Sequence, residues 1–269
     1  MDEATASRAR KALAAVLKET AHRCGGVVRD EDGLLLVAAN HPCPVVVNSA
    51  LRTGSMDAME VLRRAGAFFG ELGRGWETWI RHDADSDLQQ AAETSGLCAA
   101  PELIGMVLDC SPDLGDVPRD VEFVRVGDTP GVRDFANVAA DGFREEAPGL
   151  SDLIRAIFSE RGSLIAPDTA AFVVRYKGEP AATALTMVKE DVAWIGWVAT
   201  RSEFRGRGLA RIATATATRA GFTLGAKFAS LEATTMGVPV YQRLGFREIV
   251  RYRNYWPAGF GTCANPEED

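Results

Sequence analysis

The chain has 269 residues, of which 46% are hydrophobic and 25% are charged, and its net charge is -7 at pH 7. This composition is typical of a globular protein with a proper buried core, in one large domain or two of ordinary size. The acidic balance argues against nucleic acid as a partner, because nonspecific binding to nucleic acid usually depends on a basic surface.

The sequence shows neither a signal peptide nor a membrane helix. Residues 1–11, M-D-E-A-T-A-S-R-A-R-K, do not develop the apolar core that a signal peptide requires. The longest stretch without Lys, Arg, Asp or Glu is 34–51, and Pro42 and Pro44 interrupt it. We therefore expect a cytoplasmic protein that has no membrane partner.

The first part of the chain predicts helices and strands in alternation. Leu13, Val16 and Leu17 share one side of the first predicted helix. The predicted elements, in chain order, are helix 5–20, strands 26–29, 34–38 and 44–48, helix 57–70, strand 76–81, helix 86–94 and strand 104–108.

Residues 110–120, C-S-P-D-L-G-D-V-P-R-D, combine turn-forming residues and charges without apolar periodicity. Such a segment is typical of a connection between domains. We therefore predict a first domain at 1–112, a linker at 113–120 and a second domain at 121–269.

The second part repeats a similar order of elements. Asp128 is a predicted helix N-cap with Pro130 in the first turn, and Gly225 ends a later helix. The predicted elements are strand 121–126, a helix to about 140, a helix from 151, strands 171–176, 181–188 and 192–199, helix 209–224, strand 229–233, helix 239–245 and strand 246–252. Two similar orders in one chain suggest an ancient duplication.

The cysteines are odd in number and scattered, without a C-x-x-C pair, so we expect reduced, mostly structural thiols. They are Cys24, Cys43, Cys98, Cys110 and Cys263. His22-x-Cys24 and His41-x-Cys43 flank a predicted hairpin, and strand pairing could bring these four zinc-type ligands together. Two ordinary strand ends explain the same pattern. We expect no metal, and a structural zinc protein stays open as a competing hypothesis.

A cationic, glycine-rich segment, V-A-T-R-S-E-F-R-G-R-G-L-A at 198–210, lies between a predicted buried strand and a predicted helix. Consecutive backbone N–H groups before a helix form an anion site, and glycine allows a phosphate to come close. Arg205, Arg207 and Arg211 add positive charge nearby. Neither G-x-x-x-x-G-K-[ST] nor the glycine spacing of a dinucleotide-binding fold is present. By itself the segment indicates either an anion site of another kind or an ordinary solvated loop.

Residues 121–255 resemble the GNAT superfamily of acyl-CoA-dependent N-acetyltransferases. The resemblance depends on the order of elements, on F-R-G-R-G-L-A after a hydrophobic strand, and on V-Y-Q-R-L-G-F near the C-terminus. The family pattern R/Q-x-x-G-x-G/A is matched by Arg205, Gly208 and Ala210, and its Y-x-x-L-G-F ending by Tyr241 to Phe246. The preceding T-T-M-G-V-P lacks the asparagine that many members have there.

The resemblance implies an α/β (α+β) fold of two GNAT-like domains, each a mixed, mostly antiparallel central sheet flanked by helices. It implies acetyl-CoA as cosubstrate, with its pyrophosphate at the glycine-rich turn and its pantetheine arm along the strand before it. The implied coenzyme-binding residues are Val198, Ala199, Thr200, Arg205, Gly206, Arg207, Gly208, Leu209, Ala210 and Arg211.

The resemblance also implies a direct attack of an amine on the thioester, with Tyr241 giving a proton to the departing thiolate. A buried structural tyrosine is the alternative for Tyr241. A carboxylate should take the proton of the amine, and Glu232, opposite in direction to Leu231 on its strand, is the first choice. Glu190 and Asp191, at a turn, are less suited.

Three further acids, Asp141, Glu145 and Glu146, follow the first helix of the second domain, where this family often shapes the acceptor site, and could attract a cationic substrate. The first domain has no R-x-x-G-x-G/A between 44–48 and helix 57–70, so it is expected to be degenerate. We expect an N-acetyltransferase for a small-molecule or protein primary amine, as a monomer or homodimer. A noncatalytic acyl-CoA-binding sensor module is the alternative.

Overall fold

The computed structural model describes residues 3–42, 47–144, 150–159 and 161–258. Two short 3-10 turns, Arg161–Ser163 and Ser202–Phe204, accompany the regular elements. These elements are α1 (Glu3–Arg23), β1 (Val27–Glu31), β2 (Leu34–Ala38), β3 (Ser49–Arg52), α2 (Ala58–Leu72), β4 (Glu77–Arg81), α3 (Ser86–Thr94), β5 (Cys98–Ala99), β6 (Leu103–Leu108), β7 (Val121–Arg125), α4 (Thr129–Gly142), α5 (Leu150–Ile157), β8 (Thr169–Tyr176), β9 (Glu179–Lys189), β10 (Val192–Thr200), α6 (Leu209–Thr223), β11 (Phe228–Thr234), α7 (Val238–Gln242) and β12 (Arg247–Trp256).

Among the described residues, twelve strands form one mixed sheet in the hydrogen-bonded order β1-β2-β3-β4-β12-β6-β11-β10-β9-β8-β7, and β5 pairs with β12 beside this path. The expected mixed sheet with helices is confirmed. The expectation of two separate central sheets is corrected, because two strands pair with strands from the other side of the predicted linker. Strand β6 precedes the linker but neighbours β11, and β12 follows it but neighbours β4.

Residue contacts divide the chain into two compact units, one of Met1–Val16 and Gly105–Ile249 and one of Leu17–Ile104 and Val250–Asp269. Each unit therefore contains residues from both sides of the predicted linker. The assignment of the two sequence halves as separate domains stays a prediction.

The unit of Leu17–Ile104 and Val250–Asp269 has its core around helix α2. Asp57 caps this helix by accepting a hydrogen bond from the backbone N–H of Glu60 at 3.1 Å. Apolar residues recur along one side of the helix, and Phe68 and Phe69 are fully buried. Phe69 stacks on Trp76 with ring centroids 5.6 Å apart. Strand β3 begins at Ser49, later than predicted, and so includes S-A-L-R, which the sequence suggested as a loop.

The other unit is built on the antiparallel strands β7, β8, β9 and β10, with β11 parallel to β10. The predicted N-cap is confirmed, since Asp128 accepts from the backbone N–H of Gly131 at 2.8 Å. Helix α6 packs closely on the sheet at Gly221, where an added Cβ would lie 2.4 Å from Cβ of Ala193. This close packing fixes the helix that follows the glycine-rich segment against the strand that precedes it.

The described thiols only partly match the expectation of reduced cysteines. Cys98 is disulfide-bonded, whereas Cys24 and Cys110 are free. A disulfide needs two Cβ atoms about 4 Å apart, which scattered sequence positions cannot reveal. Cys43 lies outside the described residues, and within the described part of the chain no group of three or more His, Cys, Asp or Glu could hold a metal. Burial raises the pKa of Cys24, which disfavours the thiolate that zinc requires.

Within the described residues, no helix combines the length and the apolar character needed to span a bilayer.

Candidate functional site

The candidate site begins where strands β10 and β11 stop pairing. Their parallel register extends from the Val192–Phe228 pair to the Trp194–Ser230 pair. Beyond that point, residues of both strands line a cavity of about 590 Å³. On the other side, β10 stays paired with β9, with an irregularity between Gly196 and Ala199. The cavity therefore lies at a split between two parallel strands of the sheet.

The irregularity of β10 lies at Trp197, a non-glycine residue with a positive φ of 53°. Its carbonyl oxygen accepts a hydrogen bond from Oγ1 of Thr183 at 2.9 Å. Such a bulge redirects a strand and frees backbone groups from the ladder. Val198, Ala199 and Thr200, which follow the irregularity, lie on the wall of the cavity.

The glycine-rich turn borders the same cavity. Gly206 and Gly208 have positive φ values of 76° and 74°, and Gly208 directly precedes the first residue of α6. A left-handed conformation favours glycine, and an added Cβ at either position would meet no atom within 4 Å. The turn thus presents bare backbone at a helix N-terminus, the arrangement that binds anions.

All but one of the predicted coenzyme-binding residues line the cavity. These are Val198, Ala199, Thr200, Arg205, Gly206, Gly208, Leu209, Ala210 and Arg211. Arg207 is not among the lining residues; its guanidinium lies over the ring of Tyr176, 5.1 Å from the centroid. Sequence spacing does not reveal this contact, because Tyr176 is distant from Arg207 in the chain.

Arg205 in the turn and Arg211 in the first turn of α6 each donate a hydrogen bond to a backbone carbonyl group. Nη2 of Arg205 donates to the carbonyl oxygen of Gly142 at 3.1 Å, and Nη1 of Arg211 donates to that of Leu114 at 2.9 Å. Both guanidinium groups line the cavity beside the start of α6, where positive charge would favour an anionic ligand.

Glu232 also lies on the cavity wall, on β11 beyond the last pair with β10. Its Oε2 accepts a hydrogen bond from Nε1 of Trp194 at 2.8 Å. Burial of the carboxyl raises the pKa of Glu232 to about 7, although the Trp194 hydrogen bond acts in the opposite direction. Near neutral pH this carboxyl can both accept and release a proton, which is the property of a general base.

Tyr241 lines the cavity from helix α7 and is half-buried. Its ring packs against Phe246, with centroids 6.1 Å apart. An added Cβ at Gly237 would lie 3.0 Å from Cε2 of Tyr241, so the small residue before the helix leaves room for the ring. Tyr241 and Glu232, the two predicted catalytic residues, thus border one cavity.

Among the other predicted acids that the structure describes, Asp141 and Asp191 do not line the cavity. Asp141 is engaged by Arg201, with Oδ2 accepting from Nη2 at 2.9 Å, and also by Arg144. Asp191 is paired with Arg8 at 2.6 Å. Glu145 and Glu146 lie outside the described residues. Among the described lining residues, Glu232 is the one carboxylate.

Sequence reasoning missed several lining residues, among them Gly142, Phe143, Met236 and Arg243. Gly142 ends α4 against β10, where an added Cβ would lie 2.8 Å from Cβ of Ala199. A glycine at a helix end signals a cap in the sequence, but its contact with a strand distant in the chain has no local signal.

The comparisons with known proteins agree with this geometry. A model of the acetyltransferase (GNAT) family matches residues 134–246. The chain is similar in structure to a GCN5-related N-acetyltransferase from Kribbella flavida, with 16% identity, a TM-score of 0.70 and coverage of 91% of this chain and 95% of that one. No match was found among curated proteins.

Two further solved structures share the fold. A functionally unknown conserved protein from Staphylococcus epidermidis has 14% identity and a TM-score of 0.63, with coverage of 86% of this chain and 94% of that one. A tandem GNAT protein from the clavulanic acid biosynthesis pathway has 14% identity and a TM-score of 0.55, with coverage of 89% and 80%. At such identities the likeness concerns the fold alone. The match to the model of the acetyltransferase (GNAT) family covers residues 134–246, within the C-terminal part of the chain.

Proposed function

We propose that this protein is an N-acetyltransferase that moves an acetyl group from acetyl-CoA to a primary amine by direct attack in a ternary complex. The observation that carries the proposal is a proton-accepting carboxyl, Glu232, in the same cavity as a glycine turn at a helix N-terminus. One feature suits an anionic coenzyme and the other suits an amine that must lose a proton.

The glycine turn and the first residues of α6 are suited to the pyrophosphate, because their backbone N–H groups point out of the helix start. Arg205 and Arg211 add charge on the same side. Val198 and Ala199, on the irregular part of β10, would pair with the amides of the pantetheine arm. The coenzyme supplies an activated acetyl thioester, and the chain supplies orientation and proton transfer.

Glu232 would accept one proton from the ammonium form of the acceptor, so that the neutral nitrogen forms a bond to the acetyl carbon as the carbon–sulfur bond breaks. Tyr241 would give its hydroxyl proton to the departing thiolate. The proton on Glu232 then passes to solvent, the acylated nitrogen loses its second proton to solvent, and Tyr241 is reprotonated from solvent. The overall reaction yields an N-acetyl amide, free CoA thiol and one proton.

The direct test follows the release of free CoA thiol from acetyl-CoA with a panel of small amines and peptide amines as acceptors. We expect amine-dependent release by the wild type and a loss of about a hundredfold or more in Glu232→Gln. Glu122→Gln, which changes an exposed glutamate on β7, is the matched control. Binding of acetyl-CoA without release for any amine in the panel would contradict the enzyme function and support the coenzyme-sensor alternative.

A further inference from the structure

We propose that Trp194 is a positioning residue, which holds the Glu232 carboxylate at the strand split in the orientation that accepts the proton of the acceptor amine. This inference rests on the proposed function and goes beyond it, because it assigns a role to a side chain that does not itself line the cavity.

The backbone places Trp194 at the apex of the split. Trp194 and Ser230 form the last pair of the parallel register between β10 and β11. Glu232 is two residues beyond Ser230, so it has the same side-chain direction on β11. The indole extends from the last paired position toward the separated part of β11, and its Nε1 donates to Oε2 of Glu232 at 2.8 Å. The ring therefore connects the two strands where the backbone ladder has ended.

A second contact fixes the ring itself. At Gly196, an added Cβ would lie 1.9 Å from Cη2 and 2.2 Å from Cζ3 of Trp194. The indole thus lies directly over the Cα of Gly196, in space that every other residue type would fill. The residue is also buried, with 9% of its surface exposed. A ring confined in this way has one orientation for its single N–H donor.

The carboxylate is constrained as a consequence. The indole N–H engages Oε2, one of the two acceptor oxygens of the carboxylate, and so restricts the rotation of the carboxylate. A hydrogen bond to the charged form also opposes the effect of burial on the pKa of this carboxyl. The indole thus acts on both the direction and the proton affinity of Glu232, while Gly196 gives it the room to do so.

Two variants separate the N–H donor from the ring position. Trp194→Phe keeps an aromatic ring and removes the donor, whereas Gly196→Ala keeps the donor and displaces the ring. The matched control is Trp79→Phe, because Trp79 is also buried and its Nε1 donates to Oγ of Ser49 at 3.2 Å, far along the chain from Glu232. The control removes a similar buried indole hydrogen bond that has no link to the cavity.

The first readout needs no turnover. In a spectrum of the ¹⁵N-labelled indole groups, the Trp194 signal is assigned as the one that Trp194→Phe removes. We expect this signal to shift with pH with a midpoint of about 7, the pKa of Glu232, and to stop shifting in Glu232→Gln. A signal that stays constant between about pH 5 and 9 in the wild type would overturn the proposal, whatever the activity of the protein.

The second readout is the pH profile of the acetyl transfer. In Trp194→Phe and Gly196→Ala we expect kcat at pH 7 to fall about tenfold, with KM for acetyl-CoA unchanged. The pH at which kcat reaches half of its maximum should move up by about one unit. Since orientation is lost as well, kcat should stay below the wild-type value at pH 9. Trp79→Phe should keep the wild-type profile. An unchanged profile in Trp194→Phe would overturn the positioning role, even where the indole signal shifts as expected.

The two readouts also separate this inference from the proposed function. A pH-dependent indole signal in a protein that acetylates no amine would refute the proposed function and the catalytic part of this inference, and would leave the measured hydrogen bond as a structural feature. Turnover with a constant indole signal would support the function and refute the role of Trp194.

Discussion

Replacing Glu232 by glutamine should stabilise the fold at alkaline pH, because the wild type then holds an ionised carboxylate that burial has desolvated. The pKa of this carboxyl is raised from 4.5 to about 7 by burial. Between these values the folded state holds a proton that the unfolded state releases, so wild-type stability falls as the pH rises from about 4.5 to 7. The carboxamide in the variant is neutral at every pH and still accepts the indole hydrogen bond.

The size of the effect follows from the pKa difference. At about 1.4 kcal/mol for each pH unit, the ionised carboxyl costs about 3 kcal/mol of unfolding free energy above pH 8 and almost nothing at pH 4. The assay is urea unfolding of the wild type and Glu232→Gln at several pH values between about 4 and 9. We expect the two proteins to be equally stable at pH 4 and the variant to be about 3 kcal/mol more stable at pH 9.

Glu122→Gln is the control for the charge change, since this glutamate is exposed on β7. Its stability difference from the wild type should not vary with pH to a comparable extent. A stability difference between the wild type and Glu232→Gln that stays constant over the whole pH range would refute the argument, because it would mean that the carboxyl has the same proton affinity in the folded and unfolded chain.

Three further predictions address the turn, the tyrosine and the chain boundary. Gly208→Ala should cost about 1 to 2 kcal/mol of stability through its positive φ and should weaken acetyl-CoA binding. Gly225→Ala, also at a positive φ but at the other end of α6, should lower stability alone. Urea unfolding measures the stability and calorimetry measures the affinity for acetyl-CoA, and equal affinities of the two variants would contradict the anion site. Tyr241→Phe should lower kcat about a hundredfold with KM for acetyl-CoA unchanged, while Tyr176→Phe should have no effect on the thiol-release rate; full activity of the Tyr241 variant would leave that residue a structural one. A fragment of residues 121–269 lacks β6 and should show no cooperative urea transition, and a cooperative one would support the predicted domain boundary.

Local patterns were sufficient for the order of elements and for the glycine turn, whereas the catalytic roles of Tyr241 and Glu232 stay predictions. Helix α6 and the strand before it each have a strong periodic signal, and the turn between them is short, so the chain itself places the N-terminus of the helix beside the strand end. The alternation of a strand is enough to separate Glu232 from the buried Leu231, because neighbouring residues of β11 face opposite sides.

The sequence did not predict the features that depend on contacts between residues distant in the chain. Trp194 has the pattern of an ordinary core residue, and its bond to Glu232 appears only when β10 and β11 stop pairing. Strand β6 neighbours β11 and strand β12 neighbours β4, although the predicted linker separates each pair in the chain. The choice of pairing partner has no local signal in the sequence. The direction of Arg207 likewise depends on the left-handed glycines on either side of it in the turn.

The central claim is that the split between β10 and β11, with the glycine turn beside it, is an acetyl-CoA site. Calorimetric titration of acetyl-CoA into the wild type and into Gly208→Trp tests it most directly, with circular dichroism to confirm that both proteins are folded. We expect micromolar binding to the wild type and loss of binding in the variant, because the indole fills the space in front of the turn. A folded wild type that binds no acetyl-CoA, or a variant that binds it equally well, would contradict it.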